Sequence, residues 1–528
     1  MICITRRLFL TIFQKGGFRL AGLQLVELFK QLFGIRRNVY LDYNATTMVS
    51  ENVRKVMHDV LKKNSGNPSS LYESGKRSAE IIDHARGIVA EAINAERSEM
   101  YFTGCATESN NTVLKSLFEH NYPGKKRIVA LPIEHPSIIK TLESLQDKGL
   151  DLKYCPVDIN GVLLFDELEK LIDDSTLLVC CMLANNETGV VQDVRRVVDT
   201  ASRQGVPVLC DCVQAFGKIP VNVKSLGVNY ASFSAHKIYG PKGIGALYVK
   251  KGSMITPLIH GGHQEQGMRA GTESVHNIAG FGAACLSIEK HIAHADRLRN
   301  LKNRLIQELK VLRPDCVINS PEKNVLSNTI NVTFPGIKNQ ALMGMLNYYG
   351  IEVSAGSACS SSDDKPSHVL TAIGLSETAA RETIRISMGT FTRKKEIDHL
   401  IKVLKNYFDG KAAYVSSIES SRLDEAFLLN PHVFIIDVRP EFQRKKTPGL
   451  SCFHPISYGE IENKLQYIPR DKLIIIVCES GQLSMLSAYN LKSKGYDEVY
   501  SVKDGFKGWM TANRELYKKY SELQPKEY

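Results

Sequence analysis

Lys237 closes the run YASFSAHK, just after Ser234 and His236 and ahead of a glycine-punctuated loop. A lysine in such a place is commonly a solvated charge, but this one has company at the ends of other strand-like runs. Ala106 and Thr107 stand in FTGCATESNN, His135 in PIEHPS, Asn186 in ANNETG, and Asp211 with Gln214 in CDCVQ. Ligands of an open α/β sheet sit outside the carboxyl ends of its strands, so these scattered groups are expected to converge. GCATESNN also opens a helix, whose free N–H groups and positive dipole end favour a phosphate. Two of the twelve cysteines invite chemistry. Cys359 lies in SAGSACSSSDDKPS, a small and polar run without apolar periodicity, which predicts an exposed loop and a thiol able to act as a nucleophile. Cys478 follows the apolar run LIIIV and leads into a helical stretch, so backbone N–H groups of residues 479–484 could cradle an anion at its sulfur. Cys180, Cys181, Cys210 and Cys212 sit inside apolar runs and read as strand packing; with no CxxC pair, no metal site is expected.

These groups need a large scaffold, and 528 residues supply two to four domains. A hydrophobic share of 43% and a charged share of 23% exclude wholesale disorder and a multi-span membrane protein. The formal charge of +11 is concentrated at the start, where residues 1–38 hold Arg6, Arg7, Lys15, Arg19, Lys30, Arg36 and Arg37 against Glu27 alone. What remains is too dilute for direct nucleic-acid binding. Leu25, Leu28, Phe29, Leu32 and Phe33 form one apolar helical stripe in this basic arm, which is too short in its apolar runs to span a membrane. Its composition suits either an appended surface helix or an organelle transit peptide. From Val39, the strand runs VYLDY, EMYFT, RIVAL, LLVCCML, PVLCDC, YASFSA and GALYVK alternate with amphipathic stretches, as βαβ units around a mainly parallel sheet do. After about Val275 a long helix to Lys310, the strand NTINVTF and a helix over 394–407 predict a second, smaller α/β layer. A polar stretch over 409–430 reads as a linker, and VFIIDV opens a third domain over 431–515.

Residues 39–408 resemble the cysteine desulfurases of class V among the fold-type I, pyridoxal-phosphate-dependent aminotransferases. The stretches that carry the resemblance are YLDYNATT, FTGCATESNN, NNETGVVQD, SFSAHKIYGPKGIGALYV, GMRAGTESVHN, SAGSACSSS and TIRISMGTFT. It implies a large domain over about 50–275 and a small domain over about 276–408 joined by the N-terminal segment. It implies pyridoxal 5'-phosphate bound covalently to Lys237, with Asp211 at the pyridinium nitrogen, Gln214 at the ring oxygen and His135 stacked on the ring as a proton shuttle. Thr107, Ser234, His236 and the backbone of Ala106 would hold the phosphate, and Thr272 would reach the partner's phosphate in a homodimer. Asn186 and Arg385 would hold the substrate, Arg385 binding its carboxylate bidentately. Cys359 would take the sulfur of L-cysteine as a persulfide and release L-alanine. Ala235, where the family usually has glycine, is a small departure.

Residues 431–510 resemble a rhodanese-like domain through VFIIDVRPEF, LIIIVCESGQLS and DGFKGW. Glu479 and Leu483 stand where that family often carries arginine, which leaves open a sulfur-relaying Cys478 or a docking and regulatory module. The implied partners are a sulfur-acceptor protein such as an iron–sulfur scaffold or a thiolation carrier, in the cytoplasm, or in the mitochondrial matrix if the arm is a transit peptide. A selenocysteine lyase or another class V aminotransferase is the alternative enzyme; a silent sulfur-carrier scaffold is the non-enzymatic one.

Overall fold

The computed structural model describes residues 38–120, 125–356, 366–411 and 415–521; residues 1–37 of the N-terminal arm and Cys359 lie outside them. Its first strands are β1 (Val39–Tyr40), β2 (Met100–Thr103), β3 (Arg127–Ala130), β4 (Asp151–Tyr154), β5 (Thr176–Cys180), β6 (Val208–Asp211), β7 (Tyr230–Ser234) and β8 (Gly245–Val249). Seven of them form one sheet in the order β2-β8-β7-β6-β5-β3-β4. The pairs from β7 through β4 are parallel, whereas β8 runs antiparallel to both β2 and β7. TLLVC of β5, YASFS of β7 and GALYV of β8 are buried at every position, which is what a strand covered on both faces requires. Helices α1 (Ala106–Glu119) and α2 (Pro136–Gln146) start directly after the β2 and β3 ends and pack on one face.

The small domain is built on α3 (Ala295–Leu312), β9 (Val317–Ile318), β10 (Thr329–Thr333), α4 (Asn339–Tyr348), β11 (Ile351–Glu352), β12 (Thr383–Ser387) and α5 (Lys394–Phe408). Its sheet is antiparallel, in the order β12-β10-β9. The N-terminal β1 pairs in parallel with β11, so the first described residues belong to this layer. The single long helix expected after Val275 is broken into Val275–Cys285, Ile288–Ile292 and α3.

Beyond α5, strands β13 (Ser417–Ile418), β14 (Val433–Asp437), β15 (Phe453–Pro455), β16 (Leu473–Val477) and β17 (Val499–Val502) make a wholly parallel sheet ordered β13-β17-β16-β14-β15. Much of the stretch 409–430 is therefore not a loose tether. Ser417 and Ile418 pair with β17, and Asp424 caps a short helix over Glu425–Leu428 by accepting from the Phe427 N–H. Its polarity comes from capping and edge positions rather than from lack of structure. Helix α6 (Gln482–Ser493), which follows the Cys478 loop, packs on α4 of the small domain, and the two domains share one apolar cluster that includes Leu342, Met345 and Tyr489. Helix α7 (Gly505–Ala512) and a last helix over Arg514–Ser521, whose Tyr517 packs on Phe506 and Trp509, complete the described part of the C-terminal domain.

Candidate active site

A cavity of about 190 Å³ opens at the carboxyl ends of the parallel strands, lined among others by Ala106, Thr107, His135, Asn186, Asp211, Gln214, Ser234, His236, Lys237 and Arg385. Ten of the positions singled out in the sequence thus meet in one place although up to 279 residues separate them in the chain. Lys237 sits in a one-turn helix at the end of β7, and its Nζ donates to the carbonyls of Asn44 and Ala45 at 2.6 and 2.7 Å. Ala235 is fully buried beneath it, so its methyl is part of the core.

Asp211 ends β6, its Oδ1 accepting from the Val213 N–H and its Oδ2 from Asn110 Nδ2 at 3.1 Å. The same Asn110 Nδ2 reaches Ser137 Oγ at 3.0 Å, and Ser137 Oγ lies 2.9 Å from His135 Nδ1. Because the Ser137 N–H donates to Nδ1, that nitrogen carries no proton, and the neutral ring holds its proton on Nε2. Burial lowers the His135 pKa, with Lys237 and His368 adding to the effect and Asp211 opposing it. His236 is pushed down to about 3, first by burial and then by Lys237. Burial and Asp211 push the carboxyl of Glu134, the neighbour of His135 in the chain, well above its ordinary range.

Arg385, 1% exposed, gives Nη2 to Asp42 at 2.6 Å and Nη1 to the Asn186 carbonyl at 3.0 Å, while its buried Nε has no partner among the described residues. Thr272 is exposed and stands outside the cavity of its own chain. Asn44, Asn110, Ser137 and Lys218 were not singled out from sequence. A faint mark was available for Lys218, a cation four residues after Gln214 in the apolar stretch AFGKI.

In the C-terminal domain Cys478 is buried, its Sγ 3.3 Å from Ser484 Oγ, which in turn lies 2.8 Å from Ser501 Oγ. Glu479 leans to Arg439 and Lys507 at 3.6 and 3.5 Å. Arg439, wholly buried, is held by Asp437 at 2.7 Å and lies over the Phe506 ring. Leu483 packs into the apolar cluster shared with the small domain.

Residues 39–400, more than half of the chain, match the family described as Aminotransferase class-V. The chain belongs to that family. Residues 422–512 match the Rhodanese-like domain. A protein named cysteine desulfurase IscS from Dictyoglomus turgidum is 39% identical over 376 residues, covering 71% of this chain and 95% of that one. Another of the same name from Methanosarcina thermophila is 40% identical over 367 residues, covering 69% and 91%. Among solved structures, a NifS-like protein matches with a TM-score of 0.67 and 38% identity, over 71% of this chain and all of that one. A structure titled SspA in complex with cysteine matches at 0.60 and 35%, over 67% and 99%. As a class V member with relatives of this kind, the chain is a cysteine desulfurase fused to a rhodanese-like domain, within a pyridoxal-phosphate-dependent family. Among the described residues no helix is long and apolar enough to cross a membrane.

Proposed function

We propose that the chain takes sulfur from L-cysteine with pyridoxal 5'-phosphate held in this cavity, stores it on Cys359 and passes it to an acceptor protein. The observation that carries this reading is the convergence of Lys237, Asp211 and His135 on one cavity. The donor set suits the cofactor: an amine for its aldehyde at Lys237, a carboxylate for its ring nitrogen at Asp211, and the N-terminus of α1 with Thr107, Ser234 and His236 for its phosphate. When bound, the cofactor supplies an electron sink that loosens the bond between the β-carbon and sulfur of the substrate.

The protein's own groups do the rest. His135, neutral and protonated on Nε2, is suited to give and retake a proton at the cavity floor. Arg385 and Asn186 would orient the substrate carboxylate, Arg385 with the Nε that has no partner among the described residues. The Cys359 thiolate would attack the substrate sulfur; the sulfur–carbon bond breaks, a proton replaces sulfur on carbon, and L-alanine leaves with a persulfide on Cys359. Cysteine and thiol together balance alanine and persulfide, so no external oxidant is needed.

A homodimer would bring Thr272 to the partner's phosphate. The acceptor would be an iron–sulfur scaffold or a thiolation carrier, with Cys478 as an intermediate station. We place the activity in the cytoplasm, a reducing compartment, which the ten free cysteines among the described residues support. The test is mass spectrometry of the intact protein after one turnover with cysteine. Wild type should gain one sulfur atom on Cys359, Cys359→Ser none, and Lys237→Ala should lack the visible cofactor absorbance altogether. A persulfide on Cys359→Ser at the wild-type level would overturn the reading.

A further inference from the structure

We propose that Lys218 is a positioning residue that fixes which end of the Gln214 amide faces the cofactor, an inference that rests on the cofactor reading above. The two ends of a glutamine amide are nearly the same in shape, so its neighbours decide which of them points where. Gln214, 5% exposed, lines the cavity. Lys218 Nζ lies 2.5 Å from its Oε1, and its Nε2 donates to the Asn44 carbonyl at 2.9 Å. An inverted amide would set its oxygen against the Asn44 carbonyl oxygen and forfeit the donor from Lys218. One N–H of Nε2 then remains for the cavity.

The frame that holds Lys218 cannot turn over either. Asn44 Nδ2 donates to Thr329 Oγ1 at 2.8 Å and to the Asn186 carbonyl at 3.2 Å, which directs its Oδ1 at Lys218 Nζ, 2.9 Å away. Asn328 Nδ2 supports the same Oδ1 at 3.1 Å. Lys218 therefore needs two donating hydrogens, and an amine has them whether charged or neutral. This matters because burial, Lys237 and Arg385 all hold its pKa well below the ordinary lysine range. The Asn44 carbonyl that receives Gln214 also receives Lys237 Nζ, so one peptide group registers the reactive amine against the amide.

The consequence is an N–H, not a carbonyl, aimed at the ring oxygen of the cofactor. A donor there stabilises negative charge on that oxygen and makes the neighbouring lysine-bound nitrogen easier to deprotonate. Removing Lys218 releases the amide to rotate, and the pH at which the visible band changes should rise.

The test is a pH titration of that band in the holoenzyme. Lys218→Met should raise the midpoint by roughly half a unit to one unit, the size of one lost hydrogen bond. In a Gln214→Met background the same substitution should move nothing, because Lys218 acts through Gln214. A shift of equal size in both backgrounds means that the lysine acts through its charge, and an unchanged midpoint in Lys218→Met means that it does not act; either result overturns the proposal. Should Lys218→Met not accumulate as folded protein, Lys218→Ser is read in the same two backgrounds by the same criteria. A wild type without any visible band would be a failure of the cofactor reading instead.

Discussion

Ser367 Oγ donates to Glu187 Oε2 across 2.6 Å. Glu187, 1% exposed, adjoins Asn186 of the cavity, while Ser367 begins the helix that follows the stretch holding Cys359. The same carboxylate faces Gly356, the last described residue before that stretch. Gly356 has φ +79°, and a Cβ there would come within 3.0 Å of Oε2. One buried carboxylate thus meets both flanks of the segment that carries Cys359.

Glu187→Ala is therefore expected to separate two activities. Cofactor absorbance should stay at the wild-type level, because Glu187 is not among the cavity-lining residues, whereas persulfide formation on Cys359 should slow by about tenfold through lost positioning. Quenched single-turnover mass spectrometry measures the rate. Equal rates in variant and wild type would show that Glu187 serves folding alone.

Acid should destabilise the protein from about pH 6.5 downward. His291, packed on Tyr239 with ring centroids 4.4 Å apart, is depressed from 6.5 to about 4 by burial and by His294, and His236 is depressed to about 3. A histidine whose folded pKa lies below its unfolded one binds its proton more readily when unfolded, so stability falls as pH drops through 6.5 toward the folded value. Each such group contributes up to about 1.4 kcal/mol per pH unit in that window. His291→Phe should flatten the fall, read as urea midpoints at pH 7 and pH 5.

Lys302 predicts a slope of the same sign in a separate, alkaline window. It is 5% exposed in α3, its Nζ donates to the Leu326 carbonyl at 3.2 Å, and burial, helped by Arg299, brings its pKa to about 8. The unfolded chain holds that proton up to about pH 10, so stability should rise between pH 8 and 10. Lys302→Met removes this rise and should stabilise the protein at pH 7 by roughly 1 kcal/mol, part of the relief being lost with the carbonyl's partner. Denaturant titrations at pH 7, 8 and 10 give both quantities.

Gly344 on α4 lets α6 come close: a Cβ there would stand 2.8 Å from the Tyr489 ring and 3.4 Å from Leu486. Gly344→Val should destabilise the docked arrangement by about 1 to 3 kcal/mol. Calorimetry should then show the C-terminal domain melting apart from the rest, where wild type should give one transition.

Much of this architecture was legible because continuous apolar runs such as LLVCC and LIIIV have few other uses than central strands. The edge strand β4 was missed: DLKY is half exposed and carries no apolar run. The cavity could be assembled from strand ends because parallel sheets put their ligands there. Asn44, Asn110 and Lys218 could not, since their roles need partners far along the chain: Asn44 is separated from Gln214 by 170 positions and from Lys218 by 174, and Asn110 from Asp211 by 101. Polar side chains that act by holding other polar side chains leave no periodic trace. The polar stretch 409–430 misled for a related reason, because capping residues and a two-residue edge strand look like solvent-loving linker.

The apolar seam between α4 and α6 also changes what the peptide connection between the domains is for. With Leu342, Met345, Leu483 and Tyr489 in one cluster and Lys338 facing Asp504 at 3.6 Å, the C-terminal domain behaves as a built-in subunit. A chain nicked at residues 412–414 should therefore elute as one particle, and the covalent link serves stoichiometry, guaranteeing one rhodanese-like partner for every desulfurase made.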